Sequence, residues 1–525
     1  MSNKDQFFFG EDVLSVGLAI DLSKGKIKGI IGPESKKRIN NSHKAVQAIV
    51  NRNEIVYGIN TGFGSLCNTT ISPEETQKLQ ENILRSHSVG VGDPITRDLV
   101  RLMFILKIHS LAMGYSGISI STLERILWFV EKDYMPLVPS QGSVGASGDL
   151  APLAHLFLPL IGLGKVWEKN GYVDTLEVYK NEGIHPLKLG PKEGLALING
   201  TQFITAHAIK IVHKLNYCLD VADIIGAMTL EGVLGSVRPN DEELHSIRPF
   251  SGNLLVAHRL RKLLMNSEMV SSHVDCDRVQ DPYSIRCMSQ VHGASRDAWA
   301  HLKHKVNIEI NSVTDNPVIF HEHKTISGGN FHGQPLALPL DYTGLAASEL
   351  GNISDRRTYL LLEGNIEGLP TLLMRNTGIN SGFMIPQYTS AALVSENKSL
   401  CYPASADSIP TSLGQEDHVS MGSISGRKTL KIIENLEYIL AVELLCAAQA
   451  FDYRRPLRSG KILEACHNLI RSRIDHAEED RVFAKDIKAA HNMIKSGEIV
   501  NLTYMVAENE NIILNGGYHE AFGIY

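Results

Sequence analysis

Apolar positions recur with helical spacing through most of the chain. The longest stretches of this kind fall at about 97–113, 194–233, 288–312, 335–362 and 423–453. Several of them far exceed the about 11–12 residues of an average helix. Helices of that length usually bury their apolar stripes against more than one neighbour. The pattern therefore predicts a mainly α protein, built on a bundle of very long helices that associates into an oligomer.

The chain before about residue 200 is less regular. Its clearest helix is predicted over residues 73–87, where apolar residues share one face and His87 ends the stripe. One strand pair stands out further along, over residues 317–327, between turn-forming residues on both sides. These patterns predict an N-terminal portion over 1–200 and a helical portion over 201–525, intimately packed and possibly forming one domain.

Composition narrows the class of protein. The 525 residues are 43% hydrophobic and 21% charged, with a formal net charge of -6, which is typical of a globular chain without a nucleic-acid surface. The longest apolar run, over 150–164, is too short to span a bilayer, and the first residues do not resemble a signal peptide. Seven cysteines without a C-x-x-C pair favour reduced thiols. We expect a cytoplasmic protein.

Three glycines punctuate the stretch "QGSVGASGDLAPLAH" over residues 141–155, and they fall at Gly142, Gly145 and Gly148. Glycines this dense before an apolar segment indicate an unusual backbone shape. The spacing does not match the dinucleotide pattern G-x-G-x-x-G, and a phosphate-binding G-K-[ST] is absent. A nucleophile elbow would need another glycine at Asp149. None of these standard motifs explains the run.

The tripeptide Ala146-Ser147-Gly148 offers a different chemistry. If the chain bends sharply, the amide nitrogen of Gly148 can attack the carbonyl carbon of Ala146 and close a five-membered ring. Loss of two waters, one of them from Ser147, leaves an exocyclic methylidene on an imidazolone. The result is an electrophile made from backbone. The alternative interpretation is a flexible turn, and the tripeptide by itself does not decide between the two.

The surrounding sequence does decide, because it resembles the aromatic amino acid ammonia-lyases, whose electrophile is 4-methylideneimidazole-5-one (MIO). The resemblance runs from about residue 12 to beyond residue 480 and implies that no external cofactor is needed. Seven blocks occur in the order of the family: VYGINTGFG (56–64), GSVGASGDLAPLAH (142–155), EGLALINGTQ (193–202), VQDPYSIRC (279–287), SVTDNPV (312–318), GGNFHGQP (328–335) and QEDHVSMG (415–422).

Within the family the sequence resembles the members that convert L-histidine to trans-urocanate and ammonia. His87 stands at the selectivity position, and Glu416 stands where members acting on phenylalanine or tyrosine lack an acid. Glu416 discriminates more sharply, because tyrosine-specific members also carry histidine at the first position. The resemblance implies that both residues hold the imidazole ring. One position departs from the pattern, because Gly414 replaces the usual asparagine. The departure affects the residues expected to support the side chain of Glu416.

The resemblance also implies the remaining roles. Tyr283 is the first choice for the base that removes the β-proton, with Tyr57 on the other side of the substrate. Arg286, three residues after Tyr283, shares its helical face and suits the substrate carboxylate. Asn199 is similar to the asparagine that hydrogen-bonds the oxygen of the electrophile.

Phe331 is expected to wall the aromatic pocket, with Gln280 and Gln415 as supporting positions behind it. In the family each site is assembled from three subunits of a homotetramer, so self-association would be required for activity. The histidine-rich stretches do not match a metal-ligand spacing, and no metal is expected. The alternatives are an enzyme of the same family acting on tyrosine, an MIO-dependent aminomutase, and an inactive helical scaffold.

Overall fold

Helices dominate the computed structural model, as the periodicity predicts. The model describes residues 6–52, 54–62, 64, 71–274 and 278–525, without the side chains of residues 73 and 74. Its α-helices are α1 (Val16–Ser23), α2 (Pro33–Asn51), α3 (Pro73–His87), α4 (Arg97–Ala112), α5 (Ile120–Glu131), α6 (Leu150–Phe157), α7 (Thr175–Glu182), α8 (Glu193–Ile198), α9 (Gln202–Gly232), α10 (Glu242–Ser246), α11 (Ser251–Leu263), α12 (Glu268–Ser271), α13 (Tyr283–Arg286), α14 (Met288–Glu309), α15 (Gln334–Leu362), α16 (Met384–Leu400), α17 (Gly422–Tyr453), α18 (Lys461–Arg471), α19 (Phe483–Lys495), α20 (Glu498–Asn509) and α21 (His519–Phe522).

The strands form pairs of two. The predicted hairpin over 317–327 is confirmed, and the described residues contain three further pairs that did not stand out in the sequence. Their strands are three or four residues long, too short for an alternating pattern to stand out in the sequence. The pairs are β1 (Gln6–Phe8) with β2 (Lys28–Ile30), β3 (Val91–Pro94) with β4 (Pro139–Gln141), β5 (Lys165–Glu168) with β6 (Gly171–Asp174), and β7 (Val318–His321) with β8 (Lys324–Ile326).

The predicted bundle of very long helices is confirmed by α9, α14, α15 and α17. Helix α17 is 32 residues long and packs against α9, α15, α16 and α19. Helix α15 also packs along α14. These helices are buried over most of their length, which accounts for their broad apolar faces.

The helix predicted over 194–233 is in fact two helices, α8 and α9, and the expectation of one continuous helix is wrong. The chain leaves the helical conformation at Asn199, which is extended, and at Gly200, which has a φ of +135°. At this break Gly200 pairs with Gly148 of the glycine-rich loop. The break therefore arises from a tertiary contact that local periodicity does not encode.

One continuous hydrophobic core reaches from Phe7 to Leu514 and includes residues on both sides of residue 200. Helix α4 of the N-terminal portion packs directly on α9. The core therefore extends across residue 200, and the division of the chain into two portions stays a prediction.

The outer surface of the bundle retains apolar side chains. Leu338, Tyr342 and Leu345 lie on α15 at spacings of four and three residues, and each is about half exposed, at 55%, 50% and 51%. Such a stripe is typical of a protein interface. Within the described ranges, no helix has both the length and the apolar character needed to cross a membrane.

Candidate active site

The glycine-rich loop runs from β4 to α6 and takes the unusual backbone shape that its sequence predicts. Gly142, Gly145 and Gly148 have φ values of +119°, +70° and +78°, a region that favours glycine. At Gly148 there is also no room for a side chain, because a Cβ would lie 2.2 Å from the carbonyl oxygen of Gly200. The loop is therefore pressed closely against the break between α8 and α9.

Hydrogen bonds join the loop to that break. The Asn199 side-chain amide donates to the carbonyl oxygen of Ser147 over 3.4 Å. The Asn199 carbonyl accepts in turn from the ammonium of Lys107, at 2.6 Å, and Lys107 is buried. The side-chain oxygen of Asn199, Oδ1, is buried, and no group of the described residues donates a hydrogen bond to it. The side-chain amide and the backbone carbonyl of Asn199 are thus each held by a hydrogen bond. The segment at Asn199 and Gly200 forms the floor beneath Ser147.

Asp149 ties the same loop to the start of α9. Its backbone N–H donates to the carbonyl of Gly200 over 2.7 Å, and its Oδ2 accepts from the backbone N–H groups of Phe203 and Ile204 at 2.9 and 3.0 Å. A carboxylate at a helix N-terminus is favoured by these donors. Burial raises the pKa of Asp149, while burial lowers the pKa of Lys107.

Above this floor, Ser147 faces Glu416. The Ser147 hydroxyl donates to Oε1 of Glu416 over 3.0 Å, and Oε2 accepts from the hydroxyl of Thr411, also at 3.0 Å. The carboxylate that sequence analysis assigns to substrate selection therefore lies next to the residue that it assigns to the electrophile.

Two cavities meet at Ser147, with volumes of about 460 and 620 Å³. Both are lined by Tyr57, Gly64, Ser147, Asn199 and Glu416. The first is completed by Gly62, Leu79, Asn82, Ile83, Ser86, His87, Leu150, Leu195 and Ser412. The second is completed by Ala146, Asn316, Ser327, Gly328, Gly329, Phe331, His332, Gln415, Asp417 and His418.

The first cavity combines apolar residues such as Ile83 and Leu195 with polar ones, among which are His87 and Glu416. His87 sits at the end of α3, with Nδ1 3.0 Å from the hydroxyl of Ser86. Burial lowers the pKa of His87, although a backbone hydrogen bond at Ile83 and the charge of Glu416 act in the opposite direction. A neutral imidazole beside a carboxylate can both donate and accept a hydrogen bond.

Tyr57 lines both cavities, and its hydroxyl accepts from the backbone N–H of Gly64 over 3.3 Å. Phe331 and Gln415 line the second cavity. The structure thus brings together, around Ser147, most of the residues that sequence analysis selects, and their roles stay predictions.

Three selected residues lie elsewhere in this chain. Tyr283 and Arg286 form the ends of the short helix α13, with the Arg286 guanidinium 4.7 Å from the centre of the Tyr283 ring, as expected for a shared face. Tyr283 is 72% exposed. Gln280 lines a separate cavity of about 400 Å³ beside Arg278. Neither of the cavities at Ser147 includes these three residues, so their part in the site stays a prediction.

The residues present fit a backbone-derived electrophile. Small residues form the tripeptide, the loop is bent at Gly148, and an amide donor points at the carbonyl oxygen of Ser147, which would become the oxygen of the imidazolone. Across the described part of the chain, no three His, Cys, Asp or Glu residues are grouped closely enough to hold a metal ion.

A family model described as aromatic amino acid lyase matches residues 14–472. The chain belongs to this family and is a carbon–nitrogen lyase. The histidine ammonia-lyase of Natranaerobius thermophilus is 45% identical over 493 residues, which cover 94% of this chain and 95% of that protein.

Solved structures agree on the fold. The histidine ammonia-lyase from Trypanosoma cruzi superposes with a TM-score of 0.89 at 39% identity, covering 99% of this chain and 97% of that one. A tyrosine aminomutase from Streptomyces globisporus reaches the same TM-score at 33% identity, covering 94% of this chain and 97% of that one. The fold is therefore shared by enzymes of different outcome, and the site must discriminate between them.

Sequence analysis missed Lys107, Asp149 and Thr411 as supporting residues. Lys107 had a signal, because a lysine inside the apolar run "LMFILKIHSLA" of α4 needs a buried partner. Asp149 follows the tripeptide directly, but its contact with α9 requires the fold. Thr411 had no signal, since only the turn that follows it brings it opposite Glu416.

Proposed function

We propose that this protein eliminates ammonia from L-histidine and releases trans-urocanate. The observation that carries the proposal is the carboxylate of Glu416, which accepts from the Ser147 hydroxyl and shares an apolar cavity with His87. A ring that offers an N–H can hydrogen-bond to this carboxylate, whereas a phenyl ring cannot. The histidine ammonia-lyases among the relatives support the same substrate.

The electrophile of the reaction is proposed to be MIO, formed from Ala146, Ser147 and Gly148. When formed, it supplies an electrophilic carbon for the substrate amine and makes ammonia a better leaving group. The side-chain amide of Asn199 would then donate a hydrogen bond to the carbonyl oxygen of residue 147 and stabilise negative charge there. Because Lys107 and Asp149 hold the backbone around Asn199, this donor needs no rearrangement during the reaction.

The imidazole ring of the substrate is proposed to bind in the first cavity. Glu416 would accept from a ring N–H, and His87 would contact the other side of the ring. Phe331 would wall the site from the second cavity, with Gln415 behind Glu416. Apolar neighbours such as Ile83 and Leu195 exclude water from the ring and strengthen both polar contacts.

The base and the carboxylate-binding residue are proposed to come from other subunits. Tyr283 remains the first choice for the base and Arg286 for the substrate carboxylate, with Gln280 in a supporting position. Tyr57, which lines both cavities of this chain, would flank the substrate on the other side. The exposure of Tyr283 and the apolar stripe on α15 support a homotetramer in which helices of neighbouring subunits meet.

A cytoplasmic location is proposed as well. The described cysteines Cys218, Cys287, Cys401, Cys446 and Cys466 are free thiols, which suits a reducing compartment.

The proposal is tested by supplying L-histidine, L-tyrosine and L-phenylalanine separately, with Ser147→Ala as the blank. Ammonia and the conjugated acid are measured together. Urocanate and ammonia from histidine alone are expected. Coumarate from tyrosine would overturn the substrate assignment and leave the electrophile in place, whereas a blank equal to the wild type would overturn the electrophile.

An aminomutase is the second candidate, because the superposition on tyrosine aminomutase is as good as that on the histidine enzyme. An aminomutase returns ammonia to the β-carbon, so chromatography of the same reactions would reveal a β-amino acid. An inactive scaffold would keep the mass of the translated chain, while MIO formation lowers the intact mass by two waters.

A further inference from the structure

We infer that Thr411 is a positioning residue that holds the carboxylate of Glu416 in the orientation needed for a ring N–H, and that it thereby contributes to substrate selectivity. The inference rests on the proposed function, because it concerns recognition of an imidazole ring at the same site. It starts from the hydrogen bond that the Thr411 hydroxyl donates to Oε2 of Glu416, at 3.0 Å.

The backbone places Thr411 opposite Glu416. The N–H of Thr411 donates to the Glu416 carbonyl over 2.9 Å, and the N–H of Glu416 donates back over 3.4 Å. Between them the chain reverses through Ser412, Leu413 and Gly414, with φ values of +52°, +55° and +86°. Residues other than glycine are rare in this left-handed region. The hydrogen bonds between Thr411 and Glu416 at the two ends of the turn stabilise this conformation.

The two oxygens of Glu416 have different duties. Oε2 is occupied by Thr411, whereas Oε1 accepts from the hydroxyl of Ser147. Ser147 is the residue whose hydroxyl would leave as water when the electrophile forms. Oε1 would then lose its donor while Oε2 keeps its own. The carboxylate would remain fixed on one side and would present one open acceptor to the cavity.

A fixed acceptor discriminates between rings. A carboxylate that can rotate finds water or a neighbouring donor whatever the ligand is. A carboxylate held by Thr411 needs its donor from the ligand, so a ring without an N–H leaves it unpaired. The chemical class selected is an aromatic ring with an N–H at its edge, as in imidazole.

Position 414, where this chain departs from the family pattern, does not contribute to the support of Glu416. No atom of the described residues lies within 4 Å of a Cβ added at Gly414. Glu416 is instead held by Thr411, five residues earlier. The departure from the family pattern at Gly414 therefore leaves the support of the carboxylate in place.

The first test measures binding without turnover. In a Ser147→Ala background, calorimetry compares L-histidine with L-phenylalanine, which has the same amino acid group and lacks a ring N–H. Adding Thr411→Val should weaken histidine binding about tenfold, because a carboxylate that Thr411 no longer holds must lose its freedom of rotation when the ring N–H binds. Phenylalanine binding should stay unchanged. Equal weakening of both ligands, or of neither, would overturn the inference.

The second test uses the chain with Ser147 intact. Thr411→Val should raise KM for L-histidine more than it lowers kcat, and Thr411→Ser should restore both values, because serine keeps the hydroxyl. Intact mass should show the loss of two waters in every variant, which confirms that the loop has folded. If Thr411→Ser does not restore these values, Thr411 acts through the packing of its side chain and the inference is wrong.

Ser408→Ala is the matched control, since the Ser408 hydroxyl accepts from the backbone N–H of Val419 in the same segment without contacting Glu416. It should leave the preference for histidine over phenylalanine unchanged. The wild-type reaction decides the proposed function separately. Turnover of histidine with an unaffected Thr411→Val variant would overturn only the inference, and wild-type turnover of tyrosine alone would overturn the proposed function.

Discussion

The Ser147 hydroxyl donates a hydrogen bond to Glu416, and it is also the group that would be lost as water when the electrophile forms. Sequence reasoning reached both residues through motifs that are far apart along the chain. Their hydrogen bond is a result of the fold, which closes the loop 411–416 over the glycine-rich run. The sequence thus predicted which residues belong to the site, but it did not predict the hydrogen bond between them.

Glu416→Gln tests the carboxylate directly. The substitution keeps the size of the side chain and removes its charge, so the ring N–H would lose a charge-assisted acceptor. We expect kcat/KM for L-histidine to fall about a hundredfold, with the loss of two waters from the intact mass unchanged. Steady-state kinetics and mass spectrometry on the same preparation check this. Unchanged histidine turnover would contradict the assignment of Glu416.

Lys107→Met tests the floor beneath Ser147. The buried Nζ of Lys107 donates to the carbonyl of Asn199, and methionine removes that donor while filling similar volume. Without it, the segment at Asn199 can shift away from Gly148. We expect roughly a tenfold to hundredfold loss in kcat, with incomplete loss of water from the intact mass.

Lys107→Arg is the companion variant, because arginine keeps a donor and a positive charge. It should retain most of the wild-type kcat. A methionine variant with full dehydration and wild-type kcat would show that the Asn199 carbonyl needs no donor from residue 107.

At the element scale, the helices were the part of the fold most accessible from sequence, since α4, α14, α15 and α17 follow their periodicity closely. The short strand pairs and the break at Asn199 were not accessible. The break depends on Gly200 meeting Gly148, a contact between residues 52 positions apart along the chain. Functional sites commonly override local pattern in this way.

Asp452, near the end of α17, joins that helix to the elements that follow. Its carboxylate accepts from His467 of α18 at 2.8 Å, from Arg471 at 2.7 Å and from His476 at 2.7 Å. Hydrogen bonds from the two histidines and the charge of Arg471 outweigh burial and hold the pKa of Asp452 well below its usual range. The group is therefore ionised in the folded state at pH values where it is protonated in the unfolded chain.

Asp452→Asn should therefore lower the free energy of unfolding by about 2 kcal/mol near neutral pH. A depressed folded-state pKa contributes stability that is complete above about pH 4 and is lost as the pH falls towards the folded-state value. The difference in Tm between wild type and variant should shrink below about pH 4. Scanning calorimetry at several pH values measures it.

Asp475→Asn is the matched control, because Asp475 is exposed and lies close by in the sequence. It should leave Tm within experimental error of the wild type at every pH. A Tm difference for Asp452→Asn that persists undiminished at low pH would contradict the role of its charge.

At the scale of the whole molecule, the division of the site is the main prediction. Ser147, Glu416, His87 and Asn199 lie together in one chain, whereas Tyr283 and Arg286 lie away from them. The resemblance to a tetrameric family gave this expectation. Composition and periodicity gave only the weaker statement that the long helices associate.

Mixed oligomers test the division. Co-expression of Ser147→Ala and Tyr283→Phe subunits should restore roughly a quarter of the wild-type activity, because one site in four would combine an intact Ser147 from one chain with an intact Tyr283 from another. Each variant expressed alone should be nearly inactive. Activity of the purified mixed oligomer is the measurement.

The control pairs Ser147→Ala with Glu416→Gln. These residues touch within one chain, so every site in such a mixture carries one defect and no recovery is expected. Recovery in this control, or its absence in the first mixture, would contradict a site shared between subunits.

The close contact between Gly148 and Gly200 also sets terms for directed evolution. A side chain at position 148 would collide with the backbone of Gly200, and at position 200 the φ of +135° disfavours any residue with a side chain, so randomising either codon gives mostly strained variants. Position 414 offers the opposite case, because no atom of the described residues would touch an added Cβ there and asparagine tolerates its φ. A search for new substrates would therefore keep codons 148 and 200 fixed and begin its diversity at cavity-lining positions such as 83 and 195.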